Sequence, residues 1–523
     1  MKLISEPSVP AKIQKMKQRV RWMHPSIQQR GIDQTCLFLD DGKTDNPEFS
    51  FMVIGDSGTK PHSGHHPQRQ VTEMMLKHNH DSRFILHTGD VIYIVGSREY
   101  YPSNFIEPYR EFLVGGDQPE NINYDRMIFQ KPILPVLGNH DYYDVPFVYR
   151  LLTGPTLPLR RMFRYKDIEI GWHGSNQGDA YARAFLDYLA TINNPEELQK
   201  YLDRHYNAKT DTGRCLHYQP GKFTRLPNRY YTFNYGGIDF FALDSNTFNT
   251  PSPLPTTKAG EVYRRELQKR SQELDQEELQ ILDECEKLNL DNPEEAELLA
   301  DLGGKLDQIN EIKRDIEKQL EHHSIDDVDF EQLDWFKNRL IASWQNPQVR
   351  GRIVFFHHPP YVTEATKWNQ AQTLAVRHRL RWVLEQVSAN LGNLRQGRPI
   401  VDIVFSGHAH CLEHLRTVNT GYADSHIHYI ISGGSGRRPR RQRTEGTELM
   451  EDFAEVGIRS SRKVADSLLY VGRSGYGLNR RKPYSCVRVD VKPGFPAKFS
   501  IIPMVTEKIE DKWCDRLLDP III

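Results

Sequence analysis

Short apolar runs, each closed by a polar, turn-forming block, set the rhythm of this chain. Phe51–Ile54, Phe84–Leu86, Ile133–Leu137, Arg352–Phe356, Asp402–Phe405 and His428–Ile431 have the length and flanking residues of buried strands. Between the first two, Val71, Met74 and Met75 recur at i, i+3 and i+4, the mark of a helix with one buried face. Leu333, Phe336, Leu340 and Trp344 predict a second such helix, and another is expected around Leu374–Val387. Strand, helix and strand in alternation argue an α/β fold with parallel neighbours. Arg229–Asn234 and Ile238–Leu243 flank Tyr235-Gly236-Gly237, a hairpin signal.

The pattern changes in four places. Residues 1–50 are polar and mixed, with a basic stretch over Lys15–Arg21, and read as an N-terminal extension. Residues from about 142 to 228 are rich in Tyr, Arg and Gly and read as a long insertion near any site the strands build. Residues 257–323 are dominated by Glu, Lys, Gln, Leu and Asp, the composition of a helical hairpin or short coiled coil. Asn292-Pro293 and Gly303-Gly304 are its expected breaks. It reads as a solvated insertion with its own small core rather than as a partner-binding arm, although self-association or a protein partner through it is an open alternative. Pro483–Met504 reads as closing strands, followed by a short charged helix and a tail over 511–523. The main domain is therefore expected over 51–256 and 324–510.

Charge and cysteine content narrow the class. Lys and Arg total 68 against 69 for Asp and Glu, so no global field draws the protein to nucleic acid or an anionic surface. The N-terminus lacks the apolar core of a secretory signal, and no apolar stretch is long enough to span a bilayer. The six cysteines are dispersed without a CxxC pair and read as reduced thiols. A cytoplasmic location is expected, with no membrane partner.

Five blocks then carry the chemistry: Gly55-Asp56-Ser57-Gly58, Gly89-Asp90-Val91-Ile92-Tyr93, Gly138-Asn139-His140-Asp141, Val354-Phe355-Phe356-His357-His358 and Gly407-His408-Ala409-His410. Each follows an apolar run, so each falls at the carboxyl end of a strand, where α/β sheets gather functional groups. Alone, Asp56 or Asp90 would read as a turn or cap residue and Tyr93 as a packing aromatic. Together they offer carboxylate, amide, phenol and imidazole donors, which suit iron, manganese or zinc; no cysteine joins them, against a structural zinc site. His62, His65 and His66 read as polar residues at a helix start before Pro67. The run Arg437-Arg438-Pro439-Arg440-Arg441-Gln442-Arg443 reads first as solvated surface, but it follows a Gly-rich loop that could bring Arg437 to a phosphate.

The order and content of these blocks resemble the calcineurin-like metallophosphoesterase superfamily, and Gly58 with Tyr93 resembles its purple acid phosphatase branch. Many members have Asp-x-His in the first block; here Gly58 stands where that His would be, and Tyr93 offers a phenolate in its place. The resemblance implies a four-layer α/β/β/α sandwich of two mixed β-sheets flanked by helices, with the helical insertion added. It implies two metal ions, iron paired with iron, manganese or zinc. Asp56, Asp90, Tyr93 and His410 would hold the first, and Asp90, Asn139, His357 and His408 the second, with Asp90 bridging. His140 would stabilise charge or protonate the leaving group, and Asp141 would orient it. His358 and Arg437 are candidate substrate contacts.

The implied activity is hydrolysis of phosphate esters by a hydroxide that the metals hold, with a phosphorylated small molecule as substrate and monoesters favoured over diesters. Alternatives are a phosphodiesterase or nuclease on the same core, for which the balanced charge gives no support, and a non-catalytic scaffold that uses the helical arm. The large plant forms carry an N-terminal β-domain for which fifty residues leave no room, so extracellular phosphate scavenging is not implied.

Overall fold

The computed structural model describes residues 4–59, 66–144, 173–289, 293–321, 328–455, 458–475, 479–509 and 512–523. Among them, eighteen strands form two sheets. In chain order these are β1 (Ile32–Leu39), β2 (Phe49–Ile54), β3 (Ser82–His87), β4 (Ile133–Pro135), β5 (Ala208–Thr210) and β6 (Gly213–Tyr218). There follow β7 (Tyr231–Tyr235), β8 (Ile238–Ala242), β9 (Gly351–Phe355), β10 (Ile403–Ser406), β11 (Leu412–Thr417) and β12 (His428–Ser432). The last six are β13 (Glu448–Glu455), β14 (Ile458–Val471), β15 (Tyr484–Lys492), β16 (Lys498–Ile509), β17 (Lys512–Leu517) and β18 (Ile521–Ile522).

The larger sheet has eleven strands in the order β13-β14-β11-β12-β10-β9-β8-β7-β1-β6-β5, and the smaller has seven, β17-β16-β15-β2-β3-β4 with β18 on β16. Both are mixed. β2, β3 and β4 run parallel, as do β8, β9, β10 and β12 and, separately, β7, β1 and β6, while β15 against β2, β11 against β12 and β7 against β8 are antiparallel. The sheets meet face to face through aromatic rings. Phe51 of β2 stands edge-on to Phe240 at 5.4 Å and to Phe405 at 6.1 Å. Phe84 of β3 does the same to Phe233 at 5.6 Å and Phe240 at 5.4 Å. Such edge-to-face pairs add to the burial of the rings themselves.

Helices cover both outer faces. The helix Pro67–Lys77 lies on β15 and β16 of the smaller sheet. On the larger sheet, Leu333, Phe336 and Leu340 of the helix Phe330–Gln345 join Val376, Val383 and Val387 of the helix Ala371–Leu391 over Phe241, Val354 and Val404. This is the four-layer sandwich of two mixed sheets that the family resemblance implied, and the α/β alternation read from the sequence pattern lies within it. The hairpin at Tyr235-Gly236-Gly237 forms as well: Tyr235 pairs with Ile238, and both glycines take the positive φ that a tight two-residue turn demands, 55° and 76°.

Three expectations are corrected. Residues 1–50 are not merely an extension, because β1 is an interior strand of the larger sheet, between β6 and β7. The charged helix expected after residue 504 is instead the strand pair β16–β17, with Met504 opposite Leu517 and Ile509 opposite Lys512. Gly303-Gly304 does not break the arm, whose second helix runs continuously over Pro293–Glu321.

The arm pairs this helix with another, Lys258–Glu286, through Leu267, Leu274, Ile309 and Ile316. Near its base, Glu6 joins it to the N-terminal helix Val9–Arg19. Glu6 accepts from Lys12 Nζ at 2.7 Å and from Lys318 Nζ at 3.1 Å. Burial alone would raise the Glu6 carboxyl, but the attraction of these two ammonium groups outweighs it and holds the pKa at about 2, below the ordinary 4.5. A depressed carboxyl contributes stability that is complete above its unfolded pKa and fades as pH falls toward the folded one. Glu6→Gln is therefore expected to be less stable than the parent at pH 7, with the difference shrinking as pH falls from 4.5 toward 2. Denaturant titrations of both proteins between pH 7 and 3 test this, and a constant difference over that range would count against it.

Candidate metal centre

All five chemistry-bearing blocks lie at the carboxyl ends of strands, on one edge of the sandwich. Asp56 follows β2, Asp90 and Tyr93 follow β3, and Asn139 opens the short helical turn Asn139–Tyr142 after β4. His357 follows β9, while His408 and His410 lie between β10 and β11. The smaller sheet thus supplies oxygen donors and the larger supplies imidazoles. Asp56, Asp90 and His408 hold positive φ of 52°, 55° and 66°, a region that costs non-glycine residues energy and that concentrates at functional sites.

Two groups of donors meet there. Tyr93 Oη lies 2.7 Å from Asp56 Oδ1, 2.6 Å from Asp90 Oδ2 and 3.2 Å from His410 Nε2. His357 Nε2 lies 2.9 Å from Asn139 Oδ1, 3.2 Å from His408 Nδ1 and 3.3 Å from Asp90 Oδ2. Asp90 Oδ2 belongs to both groups. Ligands about 2.1 Å from one cation sit roughly 3 Å from one another, which is the spacing seen here.

The donors are fixed from behind. Asp56 Oδ2 accepts the backbone N–H of His408 at 2.8 Å, across 352 residues of chain. Asp90 Oδ1 accepts that of His140 at 2.8 Å. His357 Nδ1 faces the Thr88 carbonyl at 2.8 Å, so it carries the proton and leaves Nε2 as a bare nitrogen toward the centre in the neutral ring. His357 Nε2 then confronts a carboxylate oxygen, an amide oxygen and another imidazole nitrogen, and a cation relieves that crowding of lone pairs. Asp56, Asp90 and His357 form one compact set of potential ligands, and His357, His358 and His408 another.

The electrostatics tie these groups together: burial opposes it, but the Asp90 charge outweighs burial and raises His357 to about 9, so without a cation a proton on this ring takes the place of positive charge beside Asp90. Burial first, then the neighbouring Asp90 charge, pushes Asp56 up to about 7. Asp90 is held below its ordinary value: burial opposes this, but His357 and His140 outweigh it. Burial drives His408 and His410 far below 6.5, so both imidazoles are neutral and ready to donate lone pairs.

The remaining site expectations are placed as follows. His140 turns Nδ1 to the Ile94 carbonyl at 2.6 Å and Nε2 toward Asp90 Oδ2 at 3.9 Å; burial lowers its pKa to about 4. Asp141 does not orient it. The Asp141 carboxylate accepts the N–H groups of Gly138 at 2.9 Å, Val91 at 3.1 Å and Ile92 at 3.2 Å, and so clamps the loops bearing Asp90 and Asn139 together. His358 stays beside His357 and His408, with Nδ1 on Ser245 Oγ at 2.8 Å and Nε2 near Asn249 Nδ2 at 3.2 Å. The Arg437 guanidinium lies over the Tyr93 ring, 4.8 Å from its centroid, and reaches Asp307 of the arm at 2.8 Å. His66 precedes the helix at Pro67 without a side-chain bond to its first turn, while His62 and His65 fall outside the described residues.

Several neighbours were missed. Gln372 Nε2 lies 3.3 Å from His408 Nε2, and Lys367, Arg440 and Glu311 form a buried cluster beside the imidazoles. Only Arg440 had a signal in the sequence, as part of the basic run.

Gly58 explains why the first block carries no third-position imidazole. A Cβ there would lie 1.9 Å from the Val91 carbonyl oxygen, and Gly58 O accepts the Tyr93 N–H at 3.0 Å. The backbone leading to Tyr93 fills the space a histidine would need.

The chain belongs to the calcineurin-like phosphoesterase family, whose sequence model matches residues 49–412. No curated protein matches it. Solved structures similar to it include a purple acid phosphatase, PPD1, from yellow lupin (Lupinus luteus) seeds, at 10% identity and TM-score 0.42, over 92% of this chain and 54% of that one. GAP50, the anchor in the inner membrane complex of Plasmodium, is similar at 11% identity and TM-score 0.36, over 90% and 89% of the two chains. PhoD is similar at 11% identity and TM-score 0.35, over 91% and 72%. Among the described residues, no helix is long and apolar enough to cross a membrane.

Gly58→Ala is expected to cost about 1–3 kcal/mol by forcing the Val91 carbonyl aside. Denaturant midpoints of the two proteins measure it, and a neutral substitution would show that the loop yields freely.

Proposed function

We propose that the protein is a dinuclear metal-dependent phosphoesterase of purple acid phosphatase type, with monoesters favoured over diesters. The supporting observation is the shared Asp90 Oδ2, which stands between two groups of donors at ligand spacing. In this reading Asp56, Asp90, Tyr93 and His410 hold one cation, and Asp90, Asn139, His357 and His408 hold the other. The first set has three groups that can be anionic and suits ferric iron; the second is mostly neutral and suits divalent iron, manganese or zinc. Bound together, the two cations supply charge to clamp a phosphoryl group and activate water.

The protein's own groups do the rest. His140 keeps its Nδ1 proton on the Ile94 carbonyl, so Nε2 is the atom free to exchange a proton with substrate. A phosphate oxygen beside Nε2 would raise the imidazole's low pKa and favour the protonated ring, which then donates to the departing oxygen. Asp141 holds the two oxygen-bearing loops at fixed separation. Arg437 covers the phenol face and limits water there. The six free cysteines suit a reducing compartment, and we assign the protein to the cytoplasm on that basis.

Metal-loaded protein is expected to hydrolyse 4-nitrophenyl phosphate faster than its bis-ester, and Asp90→Asn to lose at least about a hundredfold in activity along with its bound metal. Rates and metal content per chain check both together; an active, metal-replete Asp90→Asn protein would remove the bridging role. Tyr93→Phe is expected to remove phenolate-to-ferric absorption in the visible range while leaving the fold intact. If the iron-loaded parent is itself colourless, Tyr93 is not a ligand.

A further inference from the structure

The second arm helix does not project into solvent. Asp307, Glu311, Arg314, Asp315 and Lys318 follow one another at three- and four-residue spacing, with Asp315 beside Arg314, and so share a face. That face lies along the rim of the metal centre. Asp307 reaches Arg437 at 2.8 Å, and Glu311 takes Arg440 at 2.6 and 2.7 Å and Lys367 at 2.6 Å. Asp315 accepts the first N–H groups of the helix Ala371–Leu391, from Ala371 at 2.9 Å and Gln372 at 3.0 Å. These partners adjoin the candidate ligands: Gln372 approaches His408, Arg437 covers Tyr93, and the Arg440 N–H donates to the His410 carbonyl at 2.9 Å.

Each carboxylate on this face therefore has its cation or N–H pair. Arg314 is different. Its Nε donates to the Asn310 carbonyl of its own helix at 3.2 Å, and its guanidinium lies over the Tyr143 ring, 4.9 Å from the centroid. Its Nη1 is buried and has no hydrogen-bond partner among the described residues, while the rest of the guanidinium is supported by the Tyr143 side chain and by the charges of Glu311 and Glu6. The Tyr143 ring in turn stands 4.9 Å from that of His140. A buried guanidinium donor without an acceptor is costly unless an anion meets it, and planar guanidinium matches carboxylate and phosphate oxygens.

We propose that the helical insertion completes the substrate pocket and that Arg314 is a specificity-determining residue, which binds a second anionic group on the leaving-group side of the substrate. The preferred substrates are then phosphomonoesters whose leaving group carries a carboxylate or another phosphate. This rests on the phosphoesterase reading above. The three carboxylates anchor the arm, Tyr143 supports the guanidinium, and one side chain outside the sheets sets the selectivity.

The test compares the parent with Arg314→Gln and Arg314→Lys on 4-nitrophenyl phosphate, 4-carboxyphenyl phosphate and glycerol 1,3-bisphosphate. Arg314→Gln is expected to lower kcat/KM on the two doubly anionic substrates by about tenfold or more, chiefly through KM, and to leave 4-nitrophenyl phosphate within about twofold. Arg314→Lys should restore part of the loss, because charge returns without the fork. The carboxyl and bisphosphate arms show which anion the site prefers. Equal losses on all three substrates, or none, would overturn the proposal. A parent inactive on every ester would instead count against the phosphoesterase reading. In that case calorimetric binding of inorganic pyrophosphate and phosphate to metal-loaded protein decides: a pyrophosphate preference lost in Arg314→Gln supports the site, and its absence in the parent refutes it.

Discussion

Lone pairs crowded together out of water are the constraint around which this protein is built. Two carboxylates, a phenol, an amide oxygen and three imidazoles meet within a few ångströms, all buried. Nothing in the apolar core asks for that arrangement, and the backbone works to maintain it. One oxygen of Asp56 and one of Asp90 are each held by a backbone N–H from another block, which turns the other oxygen inward. Three of the residues concerned hold left-handed backbone conformations. The strain and the desolvation are costs that positive charge among these donors would offset.

Much of this was legible in the sequence because it rests on local signals. β2, β9 and β10 are buried along their whole length, so their apolar runs and following turn residues announce them. Blocks at the ends of parallel strands must gather on one edge, which is why the donors could be listed before their distances were known. β1 hid for the opposite reason: its polar Gln34 and Thr35 are buried but satisfied, Gln34 by the Val20 carbonyl and Thr35 by Asp33. β17 hid because an exposed edge strand can carry Lys512, Asp515 and Arg516 without penalty, and such charges protect an edge.

Asp141 and the arm show where local reading ends. Asp141 beside His140 suggests a partnership, yet the loop geometry directs its carboxylate to three N–H groups instead. The composition of the arm is that of any solvated helix, and its acidic residues look like solvent-facing charge until the basic run and Lys367 are brought beneath them. Asp307, Glu311 and Asp315 find their partners at positions from Lys367 to Arg440, which no periodicity within the helix can foretell.

The pairing of β2 with β15 has a consequence for how the molecule comes together. β2 leads directly into the first donor block, yet one of its flanking strands comes from near the opposite end of the chain, with Val53 opposite Val487. During synthesis β2 emerges with that edge bare and must wait for almost all the remaining sequence before its backbone groups are matched. Topologies of this kind, dominated by distant partners, fold slowly and expose strand edges to rival chains meanwhile. The same holds at the centre itself, where the N–H that fixes Asp56 belongs to His408, 352 residues further along the chain.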